Sequence, residues 1–528
     1  MMALTPLAIP ADYWQHFKVA DRDLDFLYNA LLEKEIPLST AELTALLVGA
    51  RIEQEIDQLK SRSTGSQNTY LPKNDYKIGQ KVVFPSLEMR EGKISAVREG
   101  KNPEYPGLKV IRVEFSDKVT AEFAANIENH DLNLPIPIDL ENPNFSNAHV
   151  VNLYGKEISQ KLEATLEINP DLVRIAGRWF PRSLLVDVSQ GHLNLAEAVL
   201  EVNGGGPLTT RALLEQIELP TDSNQNLTEF SMNLALQEDE RFDEVGPAGE
   251  TLWFLKRLEP DDVQNPPYYL KFSRPDYDYE KIAPLLRSLE SVVTDELEPE
   301  LQRNDSGEHI QLSLIFPHWR SGTLPLSSRM LNFFPTAYEA PRVQFTFVDE
   351  DTNEKFSGWV VRPNKYVYGL SEWYASRGVI PGSIIHIKKS KVPGEVLVKV
   401  DRRKPSKDWL RTLLIGADGG FVFAMLKQGI TTSFDERMTI ILPDLALVDK
   451  LWAASTRYRG SLEDLVKICV RELSKLNPQG HVHLQELYAG VNLVKRCPPG
   501  LILHSLLLSP WAAHMGDLYF RINDDDEG

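Results

Sequence analysis

The sequence predicts an α+β protein of several domains, and three observations carry the prediction. At 528 residues the chain exceeds what one ordinary core organises, and a prior of roughly 100 to 200 residues per domain divides it into about three to five units. Its 42% hydrophobic and 25% charged content and its nine Trp are those of folded globular domains. Apolar spacing switches along the chain between helical and alternating periods, with polar and Pro-bearing stretches between.

Composition also bounds function. Two cysteines, Cys469 and Cys497, stand outside any close pair or His cluster, so no zinc or disulfide framework is expected and a reducing interior is the natural compartment. The opening MMALTPLAIPADYW lacks a basic segment leading into a long apolar run. No stretch reaches the roughly 20 apolar residues a bilayer needs, so a cytoplasmic protein with no membrane partner is expected. A formal net charge of −18 repels polyanions as a whole. Nucleic acid could be held only by a local basic patch.

Residues 21–62 read as two or three short helices in helix-turn-helix order. Leu24, Phe26, Leu27, Ala30 and Leu31 have helical spacing, Ser39-Thr40-Ala41-Glu42 starts a second helix, and Ile52, Ile56 and Leu59 form another apolar face. Arg51, Lys60 and Arg62 are interleaved with Glu53, Glu55 and Asp57, so packing or protein contact is expected ahead of DNA reading. Ser61 to Asn68 is a polar linker. From 74 to 132 the period changes: IGQKVVF, GKISAVREG, LKVIRVEF and VTAEFA are strand-like runs between turns, a pattern similar to small SH3-like barrels. A proline-rich connection, Pro135 to Asn147, follows. Residues 150–190 read as a connector whose strongest feature is Gly177-Arg178-Trp179-Phe180-Pro181-Arg182. An aromatic pair beside arginines can stack on bases or clamp a peptide, though core packing is the commoner use.

Residues 192–260 have winged-helix order. Leu195, Ala198 and Val199 lie on a first helix; GPLTTRALLEQI turns into a second; Leu227, Phe230, Leu234 and Leu236 mark a third; RFDEVGPAGETLWFLKRL closes a hairpin. At these residues the segment resembles the HARE winged helix-turn-helix family of chromatin- and restriction-associated proteins, and the resemblance implies DNA sensing. The third helix, which would enter the major groove, has no Lys or Arg from Asn226 to Glu240 and carries Glu229, Glu238, Asp239 and Glu240, so protein contact is expected of it. Beyond Pro260 the chain is acidic, and ESVVTDELEPELQRND reads as a solvated helix followed by a loop.

Residues 310–403 have the order of a barrel. Val343 to Asp349 and Phe356 to Val361 are paired strands, Tyr366, Leu370, Trp373 and Tyr374 belong to an amphipathic segment, and Pro381-Gly382-Ser383 turns into Ile384, Ile385 and Ile387. On GTLPLSSRMLNFFP, FTFVDEDTNEKFSGWVV, YVYGLSEWYASRGV and IPGSIIHI this stretch resembles the plant-type DNA-binding pseudobarrel. That resemblance implies a grip on double-stranded DNA by two loops, which carry over to His318, Trp319, Arg320 and Ser321, and to Arg362, Pro363, Asn364 and Lys365. Arg pairs two-pronged with guanine, Asn with adenine, and Lys anchors phosphate; covering the barrel ends is the competing use of Trp319 and Tyr366. The required basic patch follows directly. Lys388, Lys389, Lys391, Lys399, Arg402, Arg403, Lys404, Lys407 and Arg411 face only Glu395, Asp401 and Asp408, so the run carries 9 − 3 = +6.

Residues 409–523 read as a C-terminal helical region containing another winged helix, from LEDLVKICVREL, LQELYAGVNLV and GLILHSLLL to a closing GDLYFRI strand, ahead of a disordered DDDEG tail. Leu501, Leu503, Leu506, Leu507 and Leu508 cannot all face water. GADGG, from Gly416 to Gly420, lacks the Lys and Ser/Thr of a phosphate cradle and reads as a turn. His481, His483 and Asp517 have no third metal ligand of suitable spacing, and Glu395 and Lys399 lack the remainder of a nuclease motif. No catalytic residue, metal or cofactor is expected. The sequence thus points to a non-enzymatic DNA-binding regulator or adaptor, with a protein-interaction scaffold or the recognition subunit of a restriction or defence system as alternatives.

Overall fold

The computed structural model describes residues 7–523 apart from 11, 64–67, 85–86, 88–89, 135–137, 218, 220–223, 274, 276–278, 291–292, 299–306 and 458–460. The tail expected to be disordered, the middle of the 61–68 linker and the second half of the acidic ELEPELQRND stretch lie outside the described residues. The chain forms two compact units, residues 1–185 without 175–177, and 175–177 with 186–528.

In the first unit α1 (Asp21–Lys34), β1 (Leu38–Ser39) and α2 (Thr40–Ser63) are followed by four strands, β2 (Lys81–Phe84), β3 (Arg90–Glu99), β4 (Lys109–Phe115) and β5 (Thr120–Ala125), in an antiparallel meander. Alternation places Val82, Phe84, Ile94, Ile111, Val113 and Phe115 inside it. The segment expected as a connector is part of a core instead. It folds as α3 (Asn147–Leu166), β6 (Leu172–Ile175) and β7 (Arg178–Pro181), and Trp179 of β7 pairs with Leu38 of β1. Trp179 and Phe180 are buried, and the Trp179 indole donates to Thr40 Oγ1 at 3.0 Å. Arg51 does not join a basic face. Its guanidinium is buried against Asp23, with Nε and Nη2 donating at 2.7 and 2.6 Å.

The second unit begins with α4 (Gln190–Val202), β8 (Leu208–Thr209), α5 (Thr210–Leu214), α6 (Gln225–Glu238), β9 (Phe242–Glu244) and β10 (Leu252–Leu255), followed by the short α7 (Asp261–Gln264) and by α8 (Tyr279–Glu290). A seven-stranded half-barrel comes next: β11 (His309–Ser313), α9 (Phe316–Ser321), β12 (Thr323–Pro325), β13 (Arg342–Asp349), β14 (Lys355–Val361), β15 (Tyr366–Tyr368), α10 (Ser371–Arg377), β16 (Ile384–Lys389) and β17 (Glu395–Val400). Its strand order is β11-β16-β17-β13-β14-β15-β12, with only β13 and β17 parallel. Gly382 makes the turn before β16 possible. Its φ is +91°, and a Cβ there would stand 2.4 Å from Thr439 Cα.

Residues 402–432, expected partly as helical region, form a long hairpin of β18 (Arg402–Ile415) and β19 (Phe421–Thr432) turning through GADGG. Then come β20 (Ile440–Ile441), α11 (Leu445–Arg457), α12 (Leu462–Ser474), β21 (Val482–His483), α13 (Leu484–Val491), α14 (Pro499–Leu508), β22 (Ala512–Gly516) and β23 (Tyr519–Ile522). Leu501, Leu503 and Leu506 are buried in the core that α14 shares with α8, while Leu508 at its end is exposed.

One topology occurs three times: helix, two-residue strand, helix, helix and two strands, with sheets ordered β1-β7-β6, β8-β10-β9 and β21-β23-β22. Each two-residue strand ends at a helix cap. Ser39 Oγ accepts from Glu42 N, Thr209 Oγ1 from Ala212 N and His483 Nδ1 from Gln485 N, at 3.2, 3.2 and 3.1 Å.

Candidate nucleic-acid interface

The two expected loops do not meet. Pro317 near its start and Gly322 just beyond its end make residues 316–321 a short helix, α9, rather than a loop. His318 is only 1% exposed, with Nδ1 2.9 Å from Thr323 Oγ1 and Nε2 2.9 Å from Glu296 Oε2. Trp319 donates its indole N–H to the Val379 carbonyl at 2.7 Å and packs between the half-barrel core and the C-terminal core. Arg320 pairs with Asp449 at 2.9 Å, and Ser321 is buried. His318, Trp319 and Ser321 hold the fold together and are not placed to touch a duplex, while Arg320 is exposed but tied to Asp449.

Behind them lies a buried ionic cluster. Arg496, also 1% exposed, donates from Nη2 to Asp295 Oδ1 at 2.8 Å and Glu296 Oε1 at 2.9 Å, and Tyr488 donates its hydroxyl to Asp295 at 2.5 Å. Burial alone would raise the Glu296 carboxyl, but the charges of Arg496 and His318 hold it below the usual carboxylate range. Asp295 and Glu296 thus lie in the core and not, as expected, on a solvated helix: their charge is matched by an arginine 200 residues downstream.

The second expected segment is an exposed turn between β14 and β15. Arg362 is committed to the chain, Nη1 donating to the Ala340 carbonyl at 2.8 Å, and the Lys365 carbonyl accepts from Leu326 N at 2.8 Å. Asn364 and Pro363 are exposed. Because Thr323 faces Tyr368 and Pro325 faces Tyr366, α9 sits at one end of β12 and this turn at the other.

The basic run is reshaped more deeply, because folding pairs four of its nine cations and brings in carboxylates such as Glu350 and Glu486 from outside the run. Lys388 pairs with Glu350 at 2.6 Å, Lys399 with Asp401 at 3.3 Å, Arg403 with Asp408 at 4.0 Å, and Arg411 with Glu486. Lys389, Lys391, Arg402, Lys404 and Lys407 are exposed and make no ion pair among the described residues. They also fall into two groups. Lys389 and Lys391 lie at the β16–β17 turn, and six-residue β17 carries the chain to the other end of the sheet before Arg402. At 3.3 Å per residue that separates the groups by roughly 20 Å.

The hairpin adds two residues that the linear count missed. Trp409 stands opposite Lys427 across β18 and β19 and is 60% exposed, with the Lys427 ammonium 5.4 Å from its ring centroid. Lys427 makes no ion pair among the described residues, so Lys407 and Lys427 flank one exposed indole, with Lys404 and Arg402 farther along β18. The signal lay in the alternation on both sides of GADGG, which marks a hairpin and therefore a cross-strand partner for Trp409.

Comparison with protein-family models, with curated proteins and with solved structures gives no match to this chain.

Elsewhere the chemistry is sparse. Among the described residues no group of His, Cys, Asp and Glu is arranged to hold a metal, and no helix is long and apolar enough to cross a membrane. His483 is a buried helix cap whose imidazole burial pushes down to about 4. Cys469 and Cys497 are free and buried, and burial drives both thiols well above their ordinary range. Glu395 is paired with Lys355 at 2.5 Å.

Proposed function

We propose that this protein is a non-enzymatic DNA-binding regulator or adaptor that holds double-stranded DNA through the basic flank of its half-barrel. The observation that carries this reading is the set of six cations, Lys389, Lys391, Arg402, Lys404, Lys407 and Lys427, left without ion-pair partners among the described residues of a chain with net charge −18. A protein this acidic repels the phosphate backbone as a whole, so a local group of unpaired cations such as this turn and hairpin is where counterion release can stabilise binding. The half-barrel is read as a DNA-binding pseudobarrel, supported by its seven strands and two short helices, with Asn364 on the exposed turn available to a base edge.

The three repeated modules are read as winged helices and the four-stranded meander as an SH3-like barrel. Protein contact suits the middle module best: α6 carries no basic residue, and its Glu229 is paired with Arg211 at 2.9 Å. A gel shift on random-sequence duplex at low salt tests the reading. A shift is expected, and it should be lost when Lys389, Arg402, Lys404 and Lys407 are replaced by Ala. No shift at low salt, or one unchanged by those replacements, overturns it.

A further inference from the structure

We infer that the open half of the β18–β19 hairpin is a stacking site for the bases of single-stranded DNA, with Trp409 as the platform. This rests on the proposed nucleic-acid role and goes beyond it by naming the residue and the form of the ligand.

The hairpin has two halves with different surroundings. Leu413 and Phe423 lie opposite each other and are buried in the C-terminal core, so the half near the tip is held by packing. The other half is open on the face that carries Trp409. Directly opposed residues of an antiparallel pair share a face, so Lys407 and Gly429, Trp409 and Lys427, and Arg411 and Met425 form three successive rungs of one surface. Lys407, Gly429, Trp409, Lys427 and Met425 on that surface are all exposed. A Cβ built on Gly429 would meet nothing within 4 Å, which leaves a flat notch beside the indole.

An indole is usually covered, because it offers a large apolar area that water solvates poorly. Here it is held in the open by strand register between two lysines, with Arg402 and Lys404 nearer the base of the hairpin. Charge selects an anionic partner. The side-chain types then select its form. A ribbon reading the major groove of a duplex needs Arg, Asn or Gln aimed at base edges, whereas this surface offers an aromatic face, a flat Gly notch, a Met and ammonium groups. That is the equipment for stacking on unpaired bases while neutralising their phosphates. An acidic peptide would meet the same charge but would leave the indole without a planar partner.

The experiment uses the full chain and follows fluorescence anisotropy of a labelled oligothymidylate of about 15 nucleotides, a length within the usual single-strand site sizes, beside a random-sequence duplex. Trp409→Ala should weaken the oligothymidylate about fivefold or more, the lower bound for losing one stacked base, while Trp409→Phe retains most of the affinity. Duplex binding by Trp409→Ala should stay within about twofold, since its phosphate contacts are untouched. Circular dichroism spectra confirm that both variants fold; if Trp409→Ala does not, Gly429→Val, which fills the notch and keeps the indole, should produce the same selective loss. Equal weakening of duplex and oligothymidylate, or no weakening of either, overturns the stacking site and leaves the proposed duplex function standing. Binding of neither nucleic acid by the unaltered chain overturns both. If poly-glutamate binds with the same dependence on Trp409 and displaces the oligothymidylate, the face belongs to an acidic protein and the inference fails.

Discussion

Salt dependence offers a quantitative test of which cations reach phosphate. The perturbation is a fourfold rise in salt, from about 50 to about 200 mM, during titration of a labelled duplex followed by anisotropy. Each neutralised phosphate contributes about −0.9 to the slope of log K against log salt. If all nine cations of the run from Lys388 to Arg411 touched DNA, the slope would be about −8 and the affinity loss about 10⁵-fold. The four claimed by carboxylates, Lys388, Lys399, Arg403 and Arg411, drop out, and Lys427 enters. With six cations the expected slope is about −5.4, a loss of about 2,000-fold. Alanine at Arg402, Lys404, Lys407 and Lys427 should leave a slope of about −1.8, and alanine at Lys389 and Lys391 one of about −3.6. Lys388→Ala and Lys399→Ala should leave it unchanged. A slope near −8, or one that falls equally for the paired and unpaired lysines, would refute the reasoning, because the ion pairs would then be opening to let DNA in.

Four further predictions concern the frame that carries this surface. Arg496→Met leaves Asp295 and Glu296 buried without their cation and should cost about 3–5 kcal/mol in urea unfolding; adding Asp295→Asn and Glu296→Gln to the same chain should recover part of that loss, and no recovery would mean the cost was one of packing. Glu296 has its carboxyl depressed in the folded state, so its contribution is present above the ordinary carboxylate range and lost as pH falls below about 4; unfolding measured at pH 6 and at pH 3 checks the sign. Burial pushes the Glu244 carboxyl up to about 8, against a hydrogen bond from Gly246 N, so its protonated form is favoured in the folded state. Stability should therefore decline as pH rises toward 8 and the decline should flatten in Glu244→Gln, with an unchanged profile counting against this assignment. The His483 imidazole is depressed to about 4 by burial, so stability should fall as pH drops from about 6.5 toward 4. His483→Asn keeps a cap for Gln485 N and should remove that dependence in pH-resolved urea titrations.

Much of the element order was legible in the sequence because it is set by local chemistry. The capped helix starts at Ser39 and Thr209, the alternation of FTFVDEDTNEKFSGWVV, and the turn residues at Pro381-Gly382 each report on their own neighbourhood. Expectations about 316–321 strayed although a local signal was present, Pro317 and Gly322 bracketing one helical turn. The connector assigned to 150–190 strayed for a different reason. Its strands are short, and their partner, Leu38–Ser39, lies far upstream with the four-stranded meander between them.

By itself the sequence determined that the chain is α+β, where most helices and strands begin, and that its densest positive run lies between Lys388 and Arg411. Tertiary structure alone decided which charges are free. A carboxylate near in sequence matters no more than one brought near by folding, since the Coulomb term depends on distance through space. Thus Glu350 removes Lys388 and Glu486 removes Arg411 from the patch, Arg496 reaches Asp295 and Glu296 in the core, and β17 parts Lys391 from Arg402. The same folding sets Trp409 beside Lys427, eighteen residues on, because a hairpin turning at GADGG leaves those two opposite each other.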